Sequence, residues 1–181
     1  MQGRGDIKMS EYGALFLRRS IRKFRQEKVP EDTIQKILKA GMAAPSAHNN
    51  QPWEFIVMRD KKTLSELSRV CRYWTLLKDA DTAIAVVANL NHYNCEPRGF
   101  YVEDCSACTQ NMLIAAVGEG LGAVWLGCYP AEENVKGARP LLGVPDDILP
   151  FSIVALGFPA EEKPAHNEYY PNKVHWDKYS V

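Results

Sequence analysis

Residues 83–90 read AIAVVANL, and nearly every side chain in this run is small, β-branched or apolar. The run is far shorter than the roughly 20 apolar residues that cross a membrane. It also lacks the alternation of apolar and polar residues that marks a strand with one solvated face. The run therefore predicts a strand buried inside a layered fold, and the rest of the chain has to form the layers around it.

Helices are predicted where apolar residues recur at helical spacing. Ser10 can cap a first helix that ends within the basic residues 18–25. Pro30 suits the start of a second helix, and the acids Glu31 and Asp32 suit the positive end of its dipole. The first predicted helix contains Tyr12, Leu15 and Phe16, and the second has an inner face of Ile34, Ile37, Leu38 and Met42. The third has Leu64, Leu67 and Cys71 on one side. A fourth, over residues 104–119, has an inner stripe of Cys108, Met112, Ala115 and Ala116, and a fifth covers Glu132–Leu142.

Three further strands are predicted, over Trp53–Met58, residues 123–129 and residues 151–156. Helices and strands do not alternate strictly, which favours an α+β layered fold over a parallel α/β one. We expect one domain over residues 1–181, with residues 1–9 flexible. The tail, residues 161–181, is polar and aromatic with little periodicity, and such a tail is stable only if it packs on something, such as a second subunit.

The charge balance and the cysteines exclude several classes of protein. Basic and acidic residues number 22 each, so the formal net charge is zero, whereas a general binder of nucleic acid or of anionic membranes needs a basic surplus. The first ten residues lack the apolar core of a secretory signal. Five cysteines cannot all pair, so we expect reduced thiols and a cytoplasmic protein.

A basic segment follows the first predicted helix and reads RRSIRKF over residues 18–24. Arginine forks and a hydroxyl that lie close together suit a dianionic phosphate, because charge-assisted hydrogen bonds are the strong ones. A solvated basic face at the end of a helix explains the same spacing, since positive charge is favourable there. The segment alone leaves both interpretations open.

A second polar segment, PSAHNNQPW over residues 45–53, has many amide and hydroxyl groups between two prolines. Amide side chains both donate and accept hydrogen bonds, which matches the uracil-like edge of an isoalloxazine ring. A structural loop whose side chains bond its own backbone is the alternative. Taken alone, this segment does not decide between the two.

Together and in this order, the two segments resemble a known family. RRSIRKF, a helix, and then APSAHNNQPW leading into a strand are similar to the FMN-dependent nitroreductases. The later DCSACTQNMLIAAVGEGLGAVWLG resembles the central helix and following strand of that family, and KVHW resembles its usual ending. The resemblance extends from Arg18 to Trp176. It implies a nitroreductase-like α+β fold, with a central mixed or antiparallel sheet flanked by helices, in an intertwined homodimer that holds FMN at the subunit interface.

The resemblance also implies which residues bind FMN. The stretch for the phosphate and the ribityl chain is matched by Arg18, Arg19, Ser20 and Arg22. The loop that lies against the isoalloxazine ring, usually from the partner subunit, is matched by Pro45, Ser46, Asn49 and Gln51. The strand end whose backbone approaches the ring is matched by Leu126 and Gly127, and Lys173 lies where the family commonly has a basic residue that completes the phosphate site.

The activity that the resemblance implies is a ping-pong cycle, in which NADH or NADPH passes a hydride to flavin N5 and is replaced by a nitroaromatic, a quinone or another electron-poor acceptor. The flavin carries this chemistry, so no catalytic side chain is predicted. Two alternatives remain open: a specialised flavin enzyme of the same fold that does not use NAD(P)H directly, and a flavin-binding carrier or sensor without turnover. The chain lacks the extra helical segment that longer members place over the active site, so the residues that contact the substrate stay undefined.

Other motifs carry weaker signals. Cys105 and Cys108 form a C-x-x-C pattern, which would mark a redox pair or half of a metal site. A second pair is missing, so core packing is the simpler interpretation, with Cys95 as the third thiolate if an iron–sulfur cluster is present. His48 lies within the amide-rich loop, where it would contact substrate or make a surface hydrogen bond. No metal site and no Rossmann fingerprint are predicted.

Overall fold

The structure is a computed structural model that describes residues 13–91 and 99–179. In this part of the chain four strands form one antiparallel sheet: β1 (Trp53–Met58), β2 (Thr82–Asn89), β3 (Gly122–Gly127) and β4 (Ile148–Gly157). Their order is β1-β2-β4-β3, so β1 and β3 are the outer strands. A single parallel bridge joins Ser20 to Ala123 at the free edge of β3. The α+β class and the antiparallel sheet are thereby confirmed.

Strand β2 is buried on both faces, as its composition predicts. Residues 82–88 are all buried, and they alternate between two cores. Ala83, Ala85 and Val87 face one core, whereas Ile84 and Val86 face the other. Because neither face meets solvent, the strand needs no polar residues to alternate with its apolar ones.

Five helices flank the sheet in the described residues: α1 (Gly13–Leu17), α2 (Glu31–Met42), α3 (Lys61–Leu67), α4 (Tyr101–Gly118) and α5 (Glu132–Leu142). α2 and α4 supply Ile34, Ile37 and Met112 to one core. α3 and a 3-10 helix, Arg72–Asp79, supply Leu64, Leu67 and Trp74 to the other. None of the described helices is long and apolar enough to span a membrane.

The cysteines of the C-x-x-C pattern are part of the core. Cys105 and Cys108 are both 0% exposed, and burial raises the pKa of the Cys108 thiol to about 12, so it stays protonated. α2 crosses α4 at this level: a Cβ on Gly41 would lie 3.2 Å from the Cys108 sulfur. Among the described residues no group of three or more His, Cys, Asp or Glu is placed to hold a metal ion. Cys95 lies outside the described residues.

Several boundaries and one buried face differ from the sequence predictions. Met42 was expected to be buried but is 50% exposed, because it lies about 80° around the helix from Ile34 and ends α2. The first predicted helix contains Leu15 and Phe16 as expected, and it ends at Leu17, just before the basic residues. α3 ends at Leu67, so Cys71 caps the following 3-10 helix instead of extending α3. The predictions for residues 1–9, Ser10 and Tyr12 fall outside the described residues.

Candidate functional site

The basic segment runs along the free edge of β3. The Ile21 N–H donates to the Ala123 carbonyl at 3.0 Å, and the side chains of Ile21 and Phe24 are each 8% exposed. Since these two apolar side chains fix the segment to the sheet, Arg22 and Lys23 between them are left on the surface. The segment is therefore an ordered extension of the sheet rather than the fraying end of a helix.

Glycine at position 122 makes this contact possible. A Cβ there would lie 2.6 Å from Cγ2 of Ile21, closer than two carbon atoms can approach. The absence of a side chain on β3 at this point lets the basic segment approach the strand closely enough to share a hydrogen bond with it.

The start of the C-terminal tail holds the other side of the basic segment. The Glu161 carboxylate accepts hydrogen bonds from the backbone N–H groups of Arg22 and Lys23. The Lys163 ammonium donates to the Ser20 carbonyl, and an Arg19 guanidinium nitrogen donates to the carbonyl of Pro164. Arg19 is thus engaged with the tail in this chain, although its position in the basic segment predicts a contact with phosphate.

The remaining cations of the segment have no carboxylate partner. Within residues 13–91 and 99–179, neither Arg18, Arg22 nor Lys23 forms an ion pair. Because the chain as a whole is neutral, these unpaired charges create a local positive potential that favours an anion.

A cleft of about 630 Å³ opens beside the basic segment, a volume typical of small-molecule and cofactor sites. Its lining includes Arg22 and Lys23, residues 125–127 at the end of β3, which we call its floor, and residues 71–76, 78 and 79, which we call its wall. The structure thus brings Arg22, Leu126 and Gly127 together. Arg18, Arg19, Ser20 and Lys173 do not line this cleft.

Two parts of the cleft were not predicted from the sequence. The wall at residues 71–79 carries Tyr73 and Lys78, and Asn134 of α5 donates from its side-chain amide to the Gly127 carbonyl at 3.0 Å. The pattern of residues 71–79 shows only burial of apolar side chains, and the segment around Asn134 has no motif. Neither stretch offers a signal that would have indicated a site.

The amide-rich loop has an unusual backbone. His48, Asn49 and Gln51 all have positive φ, at 53°, 55° and 47°, a conformation that costs non-glycine residues energy and clusters at functional sites. Two of its backbone N–H groups donate to side chains: that of Ala47 to the Asp104 carboxylate at 2.8 Å, and that of Gln51 to the Ser46 hydroxyl at 3.0 Å.

The side chains of the loop divide between the two interpretations. Ser46 bonds the backbone of the loop itself, as a structural loop predicts. Asn49, Gln51 and Pro45 are exposed, so the first two present their amides outward, as a binding loop predicts. His48 is exposed as well, and its ring centroid lies 6.3 Å from that of Phe100.

The two segments lie at opposite edges of the sheet. The loop leads into β1, whereas the basic segment pairs with β3. Three inter-strand steps of roughly 4.8 Å separate these strands, or about 14 Å. No residue of the loop lines the cleft, so the single chain does not bring the two halves of the predicted site together.

The tail beyond residue 166 extends away from its own core. Tyr169, Trp176 and Tyr179 are 73%, 83% and 82% exposed. Lys173 lies in a short 3-10 helix, Pro171–Lys173, with its ammonium 4.6 Å from the centroid of the Tyr170 ring. A surface with so many exposed aromatic side chains is typical of an interface.

Comparisons with known proteins agree with this geometry. The family model described as the nitroreductase family matches residues 16–85 and 64–158. A protein of Archaeoglobus fulgidus, provisionally named NADH dehydrogenase/NAD(P)H nitroreductase, is 44% identical over 170 residues, which cover 91% of this chain and 96% of the relative.

Two solved structures share the fold along almost their whole length. An FMN-dependent nitroreductase from Clostridium difficile is 32% identical with a TM-score of 0.84, covering 92% of this chain and 98% of the other. A provisionally named nitroreductase from Desulfovibrio desulfuricans, in complex with FMN, is 30% identical with a TM-score of 0.79 and covers 98% and 100%. The overall fold is therefore that of known nitroreductases, and the chain belongs to the nitroreductase family.

Proposed function

We propose that the protein is an FMN-dependent oxidoreductase that takes a hydride from NADH or NADPH and delivers it to nitroaromatics, quinones or other electron-poor acceptors in a ping-pong cycle. The observation that carries the proposal is the cleft at the end of β3, which combines unpaired cations with an open strand end in a chain of the nitroreductase family. When bound, FMN supplies the hydride-accepting and hydride-donating centre at N5.

The basic segment suits the phosphate end of FMN. Arg18, Ser20 and Arg22 offer guanidinium and hydroxyl donors, and Arg18 and Arg22 have no carboxylate partner among the described residues. A phosphate dianion would give these charges the partner that residues 13–91 and 99–179 do not supply. Lys173 of the tail would complete this group of donors. Arg19 would contribute indirectly, because its hydrogen bond to the Pro164 carbonyl fixes the start of the tail.

The end of β3 suits the ring. A Cβ built on Gly127 would meet only the Tyr129 carbonyl, at 3.8 Å, so a planar ring has room to approach this backbone. The Leu126 side chain is 5% exposed and gives the floor of the cleft an apolar, rigid base. Backbone donors near such a ring would stabilise negative charge on its reduced form.

The other face of the ring would rest on the amide-rich loop of a second subunit, through Pro45, Ser46, Asn49 and Gln51. The separation of the loop from the basic segment in one chain supports a shared site. A mainly apolar groove beside the outer strand β1 supports a subunit contact as well; it is lined by Leu38, Met42, Trp53, Phe55 and Val57 together with Gln51 and Glu54. We therefore propose a homodimer in which the exposed tail packs on the partner.

Sedimentation of the flavin-loaded protein tests this assembly. A species of twice the 20.4 kDa chain mass is expected. A flavin-bound monomer would contradict the shared site while leaving the redox activity open to a separate test.

The activity itself is tested by anaerobic stopped-flow absorbance. The flavin band should bleach on mixing with NADH or NADPH and return on addition of a quinone or a nitroaromatic. No bleaching by either nicotinamide would reject the proposed donor and favour a specialised flavin enzyme or a carrier. A band that bleaches and then returns with none of the acceptors would reject the second half of the cycle.

A further inference from the structure

The wall of the cleft that faces β3 carries an ordered row of side chains. In the 3-10 helix Arg72–Asp79, residues three apart lie above one another. Trp74 and Leu77 form the buried row, at 1% and 0% exposure. Arg72, Thr75 and Lys78 form an exposed row, which we call the ridge. The burial of Trp74 and Leu77 fixes the direction in which the ridge projects.

A second depression, the basin, adjoins the cleft, and the ridge lines both. It has a volume of about 520 Å³, and its lining includes Ser65, Ser68 and Arg69 together with the ridge. The ridge lines the cleft as well, so one ligand can extend from the cleft across the ridge into the basin. Arg22 and Lys23 line the cleft but not the basin, so the basin is separate from the basic segment.

The side chains around the basin favour an anion. Arg69, Arg72 and Lys78 are exposed, and none of them forms an ion pair with a carboxylate in the described residues. Among the described residues no acidic side chain lines the basin, while Ser65 and Thr75 add hydroxyl groups to its wall. Three uncompensated cations around one small volume favour a ligand with more than one negative charge.

The ridge also offers a stacking surface beside these charges. The guanidinium of Arg72 lies 4.6 Å from the centroid of the Tyr73 ring and donates a hydrogen bond to the Tyr73 hydroxyl. Tyr73 is 66% exposed, so this pair leaves flat surface open to solvent. Guanidinium and phenol planes are surfaces on which a purine base stacks.

We propose that the basin binds the 2′-phosphate of NADPH and makes the enzyme prefer NADPH over NADH. This inference rests on the proposed function, which places the flavin ring at the end of β3, so the nicotinamide that reduces the ring has to enter the same cleft. The adenosine would then lie across the ridge, with its base on the Arg72–Tyr73 pair and its 2′-phosphate among Arg69, Arg72 and Lys78. NADH has the same adenosine without that phosphate, so it gains nothing from these cations.

Arg69→Ala is the most selective kinetic test, because Arg69 lines the basin and not the cleft. In the flavin-loaded enzyme, kcat/KM for NADPH should exceed kcat/KM for NADH. Arg69→Ala should lower kcat/KM for NADPH by roughly 10- to 100-fold, while kcat/KM for NADH should stay within about twofold of the wild-type value. Lys62→Ala, which removes an exposed cation of α3 outside both depressions, should change neither donor. A donor ratio that Arg69→Ala leaves unchanged would overturn the inference.

A binding measurement separates this inference from the proposed activity. Titration calorimetry on the flavin-loaded protein should show 2′,5′-ADP binding at least about tenfold more tightly than 5′-AMP and than inorganic phosphate, with the preference lost in Arg69→Ala. Equal binding of the two nucleotides, or binding of 2′,5′-ADP no tighter than that of phosphate, would reject the site. If neither nicotinamide bleaches the flavin, the proposed function fails, and the calorimetry still decides whether the basin binds this phosphate.

Discussion

The carboxylate of Glu161 accepts the backbone N–H of Arg22 at 2.6 Å, and the neighbouring N–H of Lys23 at 3.3 Å. A residue of the tail therefore fixes the backbone of the basic segment, which lies 139 positions earlier in the chain. The Arg22 hydrogen bond, with the charge of Lys163 nearby, lowers the pKa of the Glu161 carboxyl. The ionised form is thus the one that organises the segment.

Removing this carboxylate should loosen the basic segment. Glu161→Ala leaves the two N–H groups without their acceptor, so their hydrogen-exchange protection factors should fall, while Glu162→Ala removes an exposed neighbouring charge and should not affect them. A carboxyl with a lowered pKa stabilises the fold above its unfolded-state pKa and loses that effect as the pH falls through its folded-state pKa. Wild-type protection at Arg22 should therefore decline below the ordinary titration range of glutamate, and equal protection in both variants would contradict the role of Glu161.

Much of the fold could be predicted because its signals are local. Residues 83–90 predict a buried strand from composition alone, and the strand is found at Thr82–Asn89. The α2 helix begins at Glu31, where Pro30 and the two acids predict it. Met42 shows the limit: helical spacing places it at the margin of the apolar stripe and at the last position of α2, where it stays exposed.

Less of the site could be predicted from the sequence, because the site depends on contacts between residues far apart in the chain. Arg22 and Leu126 line one cleft although they are far apart in the chain, and a resemblance was needed to pair them. The ridge of Arg72, Thr75 and Lys78 depends on a 3-10 period, which differs from the period that predicts α-helices. The contact of Arg19 with the Pro164 carbonyl depends on where the tail lies, and nothing in RRSIRKF separates Arg19 from Arg18.

This difference between the two arginines gives a prediction about FMN. Arg18→Ala should weaken FMN binding by roughly 10- to 150-fold, the loss of one charge-assisted hydrogen bond of about 1.5–3 kcal/mol. Arg19→Ala should have a smaller effect, because its guanidinium already bonds the tail. Arg25→Ala is the matched control, since that side chain pairs with Glu27. Fluorescence titration of the apoprotein with FMN measures all three, and unchanged affinity in Arg18→Ala would remove Arg18 from the site.

The close approach of Ile21 to β3 gives a prediction about stability. Gly122→Ala would place a Cβ 2.6 Å from Cγ2 of Ile21, so we expect a loss of roughly 1–3 kcal/mol in the free energy of unfolding, as for other overpacked cores. Gly118→Ala is the control, because a Cβ there meets nothing within 4 Å and alanine favours the helix. Urea denaturation measures both, and two glycine variants of equal stability would show that the basic segment can move off the strand at little cost.

The amide-rich loop depends on one buried carboxylate of α4. Asp104 is 5% exposed, and its Oδ1 accepts the Ala47 N–H at 2.8 Å. Burial raises the pKa of Asp104, with the Ala47 hydrogen bond acting in the opposite direction and the charge of Glu103 adding to the rise. A raised carboxyl pKa means that the folded state binds the proton more tightly than the unfolded state, so stability falls as the pH rises through that pKa.

Asparagine at position 104 keeps an acceptor for Ala47 and cannot ionise. The stability of Asp104→Asn relative to wild type should therefore rise with pH across the range in which Asp104 titrates, and then stay constant. Asp104→Ala removes the acceptor as well, so its free energy of unfolding should lie about 1–3 kcal/mol below that of Asp104→Asn at every pH, and hydrogen exchange at Ala47 should be faster. Urea denaturation between acid and neutral pH measures both variants, and a constant difference between wild type and Asp104→Asn would show that Asp104 titrates alike in the folded and unfolded chains.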